Sequence, residues 1–434
     1  MTPINIHWFR RDLRLEDNAA LFHALESDEP VIPLFIFDEH ILDELPEDDA
    51  RVNFLHETLT SMHEELGRSG SGMLVIKGKP EEVWRRLIDH YEIAGVYTNR
   101  DYEPYALERD QSISELLASR DIPFHTFKDQ VIFEMDEVLK DDGGSYTVYT
   151  PYSRKWFSQF QEEMIEPFPS HERMEGFHSF EKRPQLPSLA DIGFKPSAIR
   201  VPPYVLAESK IKDYQKTRNF PAVPGTSKLG PHLRFGTISV RQAFKETMTV
   251  SHTFAKELVW REFFMQILYH FPHVVKGSFR PKYDRVPWRN DEEDFKAWCE
   301  GRTGYPLVDA GMRELNQTGF MHNRVRMLVA SFLTKHLLID WRWGEAYFAK
   351  KLLDFELSSN NGNWQWAAGS GCDASPYFRV FNPMTQIQKF DKQEQYIRKW
   401  VPELESDNYP EPIVEHRFGR ERAISTFKEA LANA

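Results

Sequence analysis

Up to about residue 128 the chain alternates short apolar runs with longer amphipathic segments. The runs INIHWF (4–9), VIPLFIFD (31–38), MLVIKG (73–78), GVYTNRD (95–101) and PFHTFK (123–128) are rich in β-branched and aromatic residues. Strands of this kind separated by helical patterns predict a parallel sheet with crossover helices. The expectation for 1–128 is therefore a doubly wound, Rossmann-like α/β domain. Its first turn, RRDLRLEDN, has neither G-x-G-x-x-G nor a GK[ST] loop, so a dinucleotide gripped there by its pyrophosphate is not indicated.

Between 129 and 202 the periodicity weakens. Pro151, Pro167, Pro169, Pro184, Pro187 and Pro196 interrupt it, as in a long connection wrapped over a surface. From 203 to 434 the spacing is helical, clearest in FAKELVWREFFMQILYHF (254–271), LVDAGMRELNQTGFMHNRVRMLVASFLTKHLL (307–338) and GEAYFAKKLLDFELS (344–358). An all-helical second domain is expected there. In NNGNWQW (360–366), Asn and Gly read as a helix stop followed by two tryptophans.

Composition adds an aromatic surplus of 14%, with 11 Trp and 32 Phe, enough to wall a large planar ligand as well as fill cores. The two cysteines, Cys299 and Cys372, fit no CxxC pattern, which excludes a disulfide framework and gives no support to a zinc or iron–sulfur site. No run reaches about 18 uninterrupted apolar residues and no leader precedes the first strand, so a soluble cytoplasmic protein, expected as a monomer, is the reading. The net charge of −12 argues against a polyanion partner, but its distribution does not. Residues 200–290 hold 16 Lys or Arg against six Asp or Glu, a candidate footprint for phosphates or an ordinary solvated basic face.

Three segments could carry chemistry. Glu257, Trp260, Arg261 and Phe264 share one helical face, where an aromatic plane beside a carboxylate suits a nucleobase; spacing alone favours the plainer half-buried helix with Glu257 paired to Arg261 in solvent. Phe320, Asn323 and Met327 share another, flanked by Arg324 and Arg326. GTSKLGPHL (225–233) sets Gly, Pro, small hydroxyls and a lysine before a helix start, suited to a phosphate or to simple capping.

Six ordered segments together resemble the photolyase and cryptochrome family: WFRRDLRLEDN, GTSKL, ELVWREF, TGYPLVDAGMREL, HNRVRM and NNGNWQWAAGSGCDASPYFRVFNP. The resemblance implies FAD in the helical domain and, in many members, an antenna pigment on the α/β domain. Position by position, Tyr214, Thr226, Ser227, Lys228, Leu229 and Gly230 match the flavin-phosphate region. Phe254, Arg326, Asp354, Phe355, Glu356 and Asn360 match residues around the flavin, with Asp354 paired to Arg326 and Asn360 facing the reactive ring nitrogen. Glu257, Trp260, Asn323, Arg324, Met327 and Trp366 match the surroundings of a flipped dimer, while Gln386 and the face from Arg261 to Phe264 match DNA contacts. Trp364, Trp341 and Trp288 match a tryptophan relay that reduces the flavin. No metal is implied.

The implied activity is light-driven splitting of cyclobutane pyrimidine dimers in UV-damaged DNA by reduced FAD, and Asn360, the pair His322–Asn323 and Met327 favour the class I branch. The rival is a blue-light receptor on the same fold; that reading expects a long C-terminal extension, whereas this chain ends in a modest helical tail. Phe254 and Phe320 stand where Trp is expected, Glu356 stands for Asp, and Lys228 and Gly230 stand for Arg and Ser. Tyr105–Ala106 stands where folate-binding members carry Asn–Glu, which leaves the antenna open.

Overall fold

The computed structural model describes residues 2–432. Two compact units divide it. Unit 1 comprises Met1–Glu137, Gln159–Tyr204 and Lys228–Thr249, and unit 2 comprises Val138–Ser158, Val205–Ser227 and Val250–Ala434.

Unit 1 is built on five parallel strands, β1 (Ile4–Phe9), β2 (Val31–Asp38), β3 (Leu74–Gly78), β4 (Ile93–Asn99) and β5 (Phe124–Phe127), in the order β3-β2-β1-β4-β5. β1 and β2 are buried along their whole length, which is why they read as unbroken apolar runs rather than alternating ones. Helices α1 (Ala19–Leu25), α2 (Ala50–Arg68), α3 (Pro80–His90) and α4 (Pro104–Ala118) supply the crossovers. The parallel α/β expectation is met.

The division into units is not the linear one expected. Residues 228–249 join unit 1 because Arg241 enters its interior and binds Asp17 and Asp129, each at 2.8 Å. Gly236, with φ of +69°, lies against the Arg11 backbone so closely that a Cβ would approach its carbonyl oxygen to 2.1 Å. Conversely, α5 (Tyr149–Gln159), expected to be linker, contributes to unit 2 through the Trp156 indole N–H, which donates to buried Glu262 at 2.5 Å.

Unit 2 is helical, with α6 (His252–His270), α7 (Asn323–Ser331), α8 (Trp341–Lys351), α9 (Leu357–Ala368), α10 (Pro383–Phe390) and α11 (His416–Ala432) among its elements. The single stripe over 307–338 resolves into Pro306–Thr318, ended by left-handed Gly319, then α7 capped by His322, then a π-helical turn Phe332–His336. NNGNWQW is not a helix stop: it lies inside α9, which ends at Gly369 with φ of +90°. Gly362 is there because a Cβ would stand 2.2 Å from the Phe264 ring, so α6 and α9 approach only through it. Both cysteines are free, and no helix among the described residues is long and apolar enough to cross a membrane.

Candidate functional site

Helical spacing puts Asn323, Arg326 and Met327 on one face of α7, and Asn360 and Trp364 on one face of α9. In unit 2 these faces line a cavity, together with Asp354, Phe355, Glu356, Trp366, Phe348 and Leu352. Asn360 and Trp364 are buried, whereas Asn323 and Asn363 on the same wall are exposed, so the cavity runs from the interior to solvent. Arg326 holds Asp354 through both carboxylate oxygens, at 3.1 and 2.8 Å. Asn360 donates its Nδ2 to the Glu345 carbonyl at 3.1 Å, and its Oδ1 has no hydrogen bond among the described residues. A free amide acceptor and a fixed ion pair set in an aromatic and aliphatic wall fit a planar conjugated ring with a polar edge, as in a flavin.

A second cluster gathers around Glu257. Its carboxylate pairs with Arg218, whose guanidinium also lies 5.2 Å over the Tyr214 ring, and Tyr214 meets Phe254 edge-on at 5.0 Å. Burial raises the Glu257 carboxyl above the usual range, and Arg218 offsets only part of that rise. Burial, with the Glu257 charge, pushes the Tyr214 phenol up to about 12. Arg324 donates to Asn219 at 2.6 Å and lies 4.4 Å over Phe390. Burial and the nearby charges of Arg218 and Arg379 lower its proton affinity. Three guanidiniums thus share one neighbourhood. Arg218 and Arg379 went unremarked in the sequence; the basic excess over 200–290 was the signal for the first, and its place beside Phe378 in the SPYFR run was the only one for the second.

The three expected relay rings belong to one apolar cluster of unit 2. Trp364 is 2% exposed and Trp341 fully buried, while Trp288 is half-buried. Trp364 packs against Phe348 at 5.0 Å and Trp298 at 6.1 Å, and it lies so close to α8 that a Cβ on Gly344 would reach it at 2.2 Å.

Other expectations change. Arg261 and Phe264 do not face outward to DNA: Arg261 is committed to buried Glu356 at 2.9 Å, and Phe264 is 6% exposed beneath Gly362. Trp260 has one face covered by Tyr149, parallel at 3.6 Å, and also packs against Phe264 at 5.5 Å and Phe263 at 5.6 Å, so only part of this half-buried ring is left for a base. Thr226 and Ser227 lie in unit 2, whereas Lys228, at φ of +60°, Leu229 and Gly230 lie in unit 1, where Gly230 begins the short helix Gly230–Phe235. Gln386 is half-buried on α10, away from the cavity wall.

Unit 1 has its own cavity at the carboxyl ends of β1, β2 and β4, lined by Arg10, Arg11, Asp38, Asp101, Tyr105, Ala106 and Arg109 among others. β1 and β4 flank the point where strand order reverses, the usual place for a ligand in such sheets. Tyr105 donates its hydroxyl to Asp38 there, and Ala106 offers no polar group.

Comparison with known proteins agrees with both units. Residues 5–172 match the DNA photolyase family and residues 254–407 match the FAD binding domain of DNA photolyase. A deoxyribodipyrimidine photo-lyase of Agrobacterium fabrum is 37% identical over 97% of this chain and 97% of its own. The crystal structure of a bacterial class III photolyase from Agrobacterium tumefaciens superposes with a TM-score of 0.88 at 36% identity, covering 99% of this chain and 98% of the other. An archaeal photolyase from Sulfolobus tokodaii, solved with two FAD molecules, gives 0.84 at 34% identity over 98% and 99%. Full-length identity of this order, with both family matches, means that the chain belongs to the DNA photolyase family.

Proposed function

We propose that this protein repairs cyclobutane pyrimidine dimers in UV-damaged DNA, driven by light absorbed at FAD held in unit 2. The observation that carries the reading is the cavity that joins buried Asn360 and the Arg326–Asp354 pair to exposed Asn323 and half-buried Met327 and Trp366. Reduced FAD, when bound, supplies an excitable one-electron donor, which no side chain provides.

The protein's share is position and charge. Arg326, Asp354, Glu356 and Asn360 would hold the flavin, with Asn360 offering its free Oδ1 and Phe355 and Trp364 excluding water. Phe254 and Tyr214 would support the same cofactor from the second cluster, and Thr226 and Ser227 would serve its phosphates. Trp366, Met327 and the open side of Trp260 would bracket the dimer, and Asn323 would bond a base edge. Glu257, whose carboxyl is protonated more readily than a free one, would donate to a dimer carbonyl and stabilise negative charge developing there. Arg324, with Arg218 and Arg379, would hold phosphates, and Gln386 would add a polar contact. Trp364, Trp341 and Trp288 would refill an oxidised flavin from outside. The unit 1 cavity is the place for an antenna pigment, and Tyr105–Ala106 gives it no amide–carboxylate pair for folate.

The test is loss of dimers from an irradiated oligonucleotide by the purified protein with fully reduced FAD, under blue light against a dark control. Light-dependent loss is expected. No loss would overturn repair and leave the receptor reading standing.

A further inference from the structure

Lys335 is a buried charged side chain of unit 2 that the proposed function leaves unused. It lies on the π-helical turn Phe332–His336 and is 1% exposed. Its Nζ donates to the Ala368 carbonyl at 2.5 Å, at the C-terminal end of α9, and stands 3.8 Å over the Phe427 ring of α11. Among the described residues no carboxylate lies within ion-pair distance of it. An ammonium buried with one carbonyl and one ring is poorly compensated, even allowing for the negative end of the α9 dipole and the cation–π contact.

Phe427 links this charge to the relay. Trp288 meets the Phe427 ring edge-on at 5.6 Å, and Tyr377 stacks on it in parallel at 5.8 Å. With Nζ at 3.8 Å from the same ring, the ammonium is under about 10 Å from the Trp288 indole. At that separation, in a partly screened interior, a unit charge shifts a charge-forming equilibrium roughly tenfold.

We propose that Lys335 is a positioning residue of the electron relay, whose charge, held between the end of α9 and Phe427, sets how readily Trp288 gives up an electron. This rests on the reading of Trp364, Trp341 and Trp288 as a relay. One electron leaves Trp288 for oxidised Trp341; the Trp288 indole then loses its N–H proton to solvent, and a soluble thiolate later returns an electron as water returns the proton. A cation nearby opposes formation of the positively charged indole, so a protonated Lys335 holds the step back and a neutral one releases it.

Burial pushes the Lys335 ammonium down to about 7, so the step should change across neutral pH. The other groups on the surrounding elements do not share that window. His336 is hydrogen-bonded to His416 at 2.8 Å and is pushed down to about 3 by burial and by the His416 and Arg422 charges; burial also lowers His416. Asp284 accepts from Arg342 and Ser278 and is held below the usual carboxylate range, and burial pushes Cys372 up to about 12. Burial and the Arg289 charge lower the proton affinity of Arg422, yet a guanidinium does not titrate in this range.

The test is flash photolysis of the full chain with oxidised FAD and dithiothreitol, following the oxidised Trp288 signal from pH 6 to 8.5 in wild type, Lys335→Arg, Lys335→Met and Trp288→Phe. Wild type should rise roughly five- to tenfold with pH, Lys335→Arg should stay at its low-pH level and Lys335→Met at its high-pH level. In the cofactor-free chain, Trp288 fluorescence, taken as wild type minus Trp288→Phe, should titrate with the same midpoint and lose that titration in Lys335→Met. Should Lys335→Met not fold, Lys335→Arg against wild type decides. A flat wild-type response with the signal lost in Trp288→Phe overturns this assignment alone; an unchanged signal in Trp288→Phe overturns the relay and this assignment with it.

Discussion

Unit 1 surrounds its buried charge with partners, and unit 2 leaves part of its own waiting. In unit 1, Arg241 binds Asp17 and Asp129, and Arg14 binds Asp129 at 2.6 Å, all nearly free of solvent. Burial alone would raise the Asp129 carboxyl; Arg14 and Arg241 overcome it and hold the group below the usual carboxylate range. In unit 2, among the described residues, Lys335 has no counter-ion and Asn360 has an unused acceptor, and Arg218 only partly offsets the desolvation of Glu257. A closed network fixes a structure, whereas an incomplete one marks where a ligand or an electron is to be met.

The comparison breaks first at Arg241. Arg241→Met should cost about 3–5 kcal/mol, read from chemical denaturation, because it leaves buried Asp17 without its guanidinium and buried Asp129 with Arg14 alone; a loss below about 1 kcal/mol would mean that the network is dispensable. Next, Gly344→Ala should cost about 1–3 kcal/mol and weaken FAD retention, measured by melting and by flavin absorbance, since the new Cβ would collide with Trp364. Glu257→Ala should lower repair yield about tenfold, about 1.4 kcal/mol, with flavin content unchanged; equal yield would remove Glu257 from the site.

The smallest effect carries the sharpest sign. The folded Glu257 carboxyl is protonated more readily than the unfolded one, so the stability it contributes is present below its unfolded value and lost as pH rises through its raised folded value. Glu257→Gln should therefore stabilise the protein at neutral pH, by less than about 1 kcal/mol because a third of the side chain meets solvent, while repair falls. Equal melting points of wild type and variant across pH 4 to 8 would contradict this.

Legibility followed local physics. The central strands β1 and β2 were readable because buried parallel strands demand continuous apolar runs, and α6 was readable from its apolar spacing, although its second half, Glu262–Leu268, is buried on every side. The pair Arg326–Asp354 was named in advance only through family resemblance, since 28 residues separate the partners. The ion pair of Arg261 was not legible because its counter-ion, Glu356, lies 95 residues away, nor was the packing of Phe264, because the space it fills is created by Gly362 on another helix. Asn and Gly in NNGNWQW signal a stop by propensity, and packing against α6 overrides that preference.

From the sequence alone came the strand order's raw material, the two-unit character, the aromatic surplus and the segments that carry the family likeness, because each is written in nearest-neighbour periodicity or in contiguous motifs. Tertiary structure alone decided that α5 serves the helical unit, that residues 228–249 serve the other, which side chains line the cavity, and that Lys335 is buried beside Phe427. Those outcomes depend on contacts between residues far apart in the chain, where burial and pairing, rather than spacing, set what each group can do.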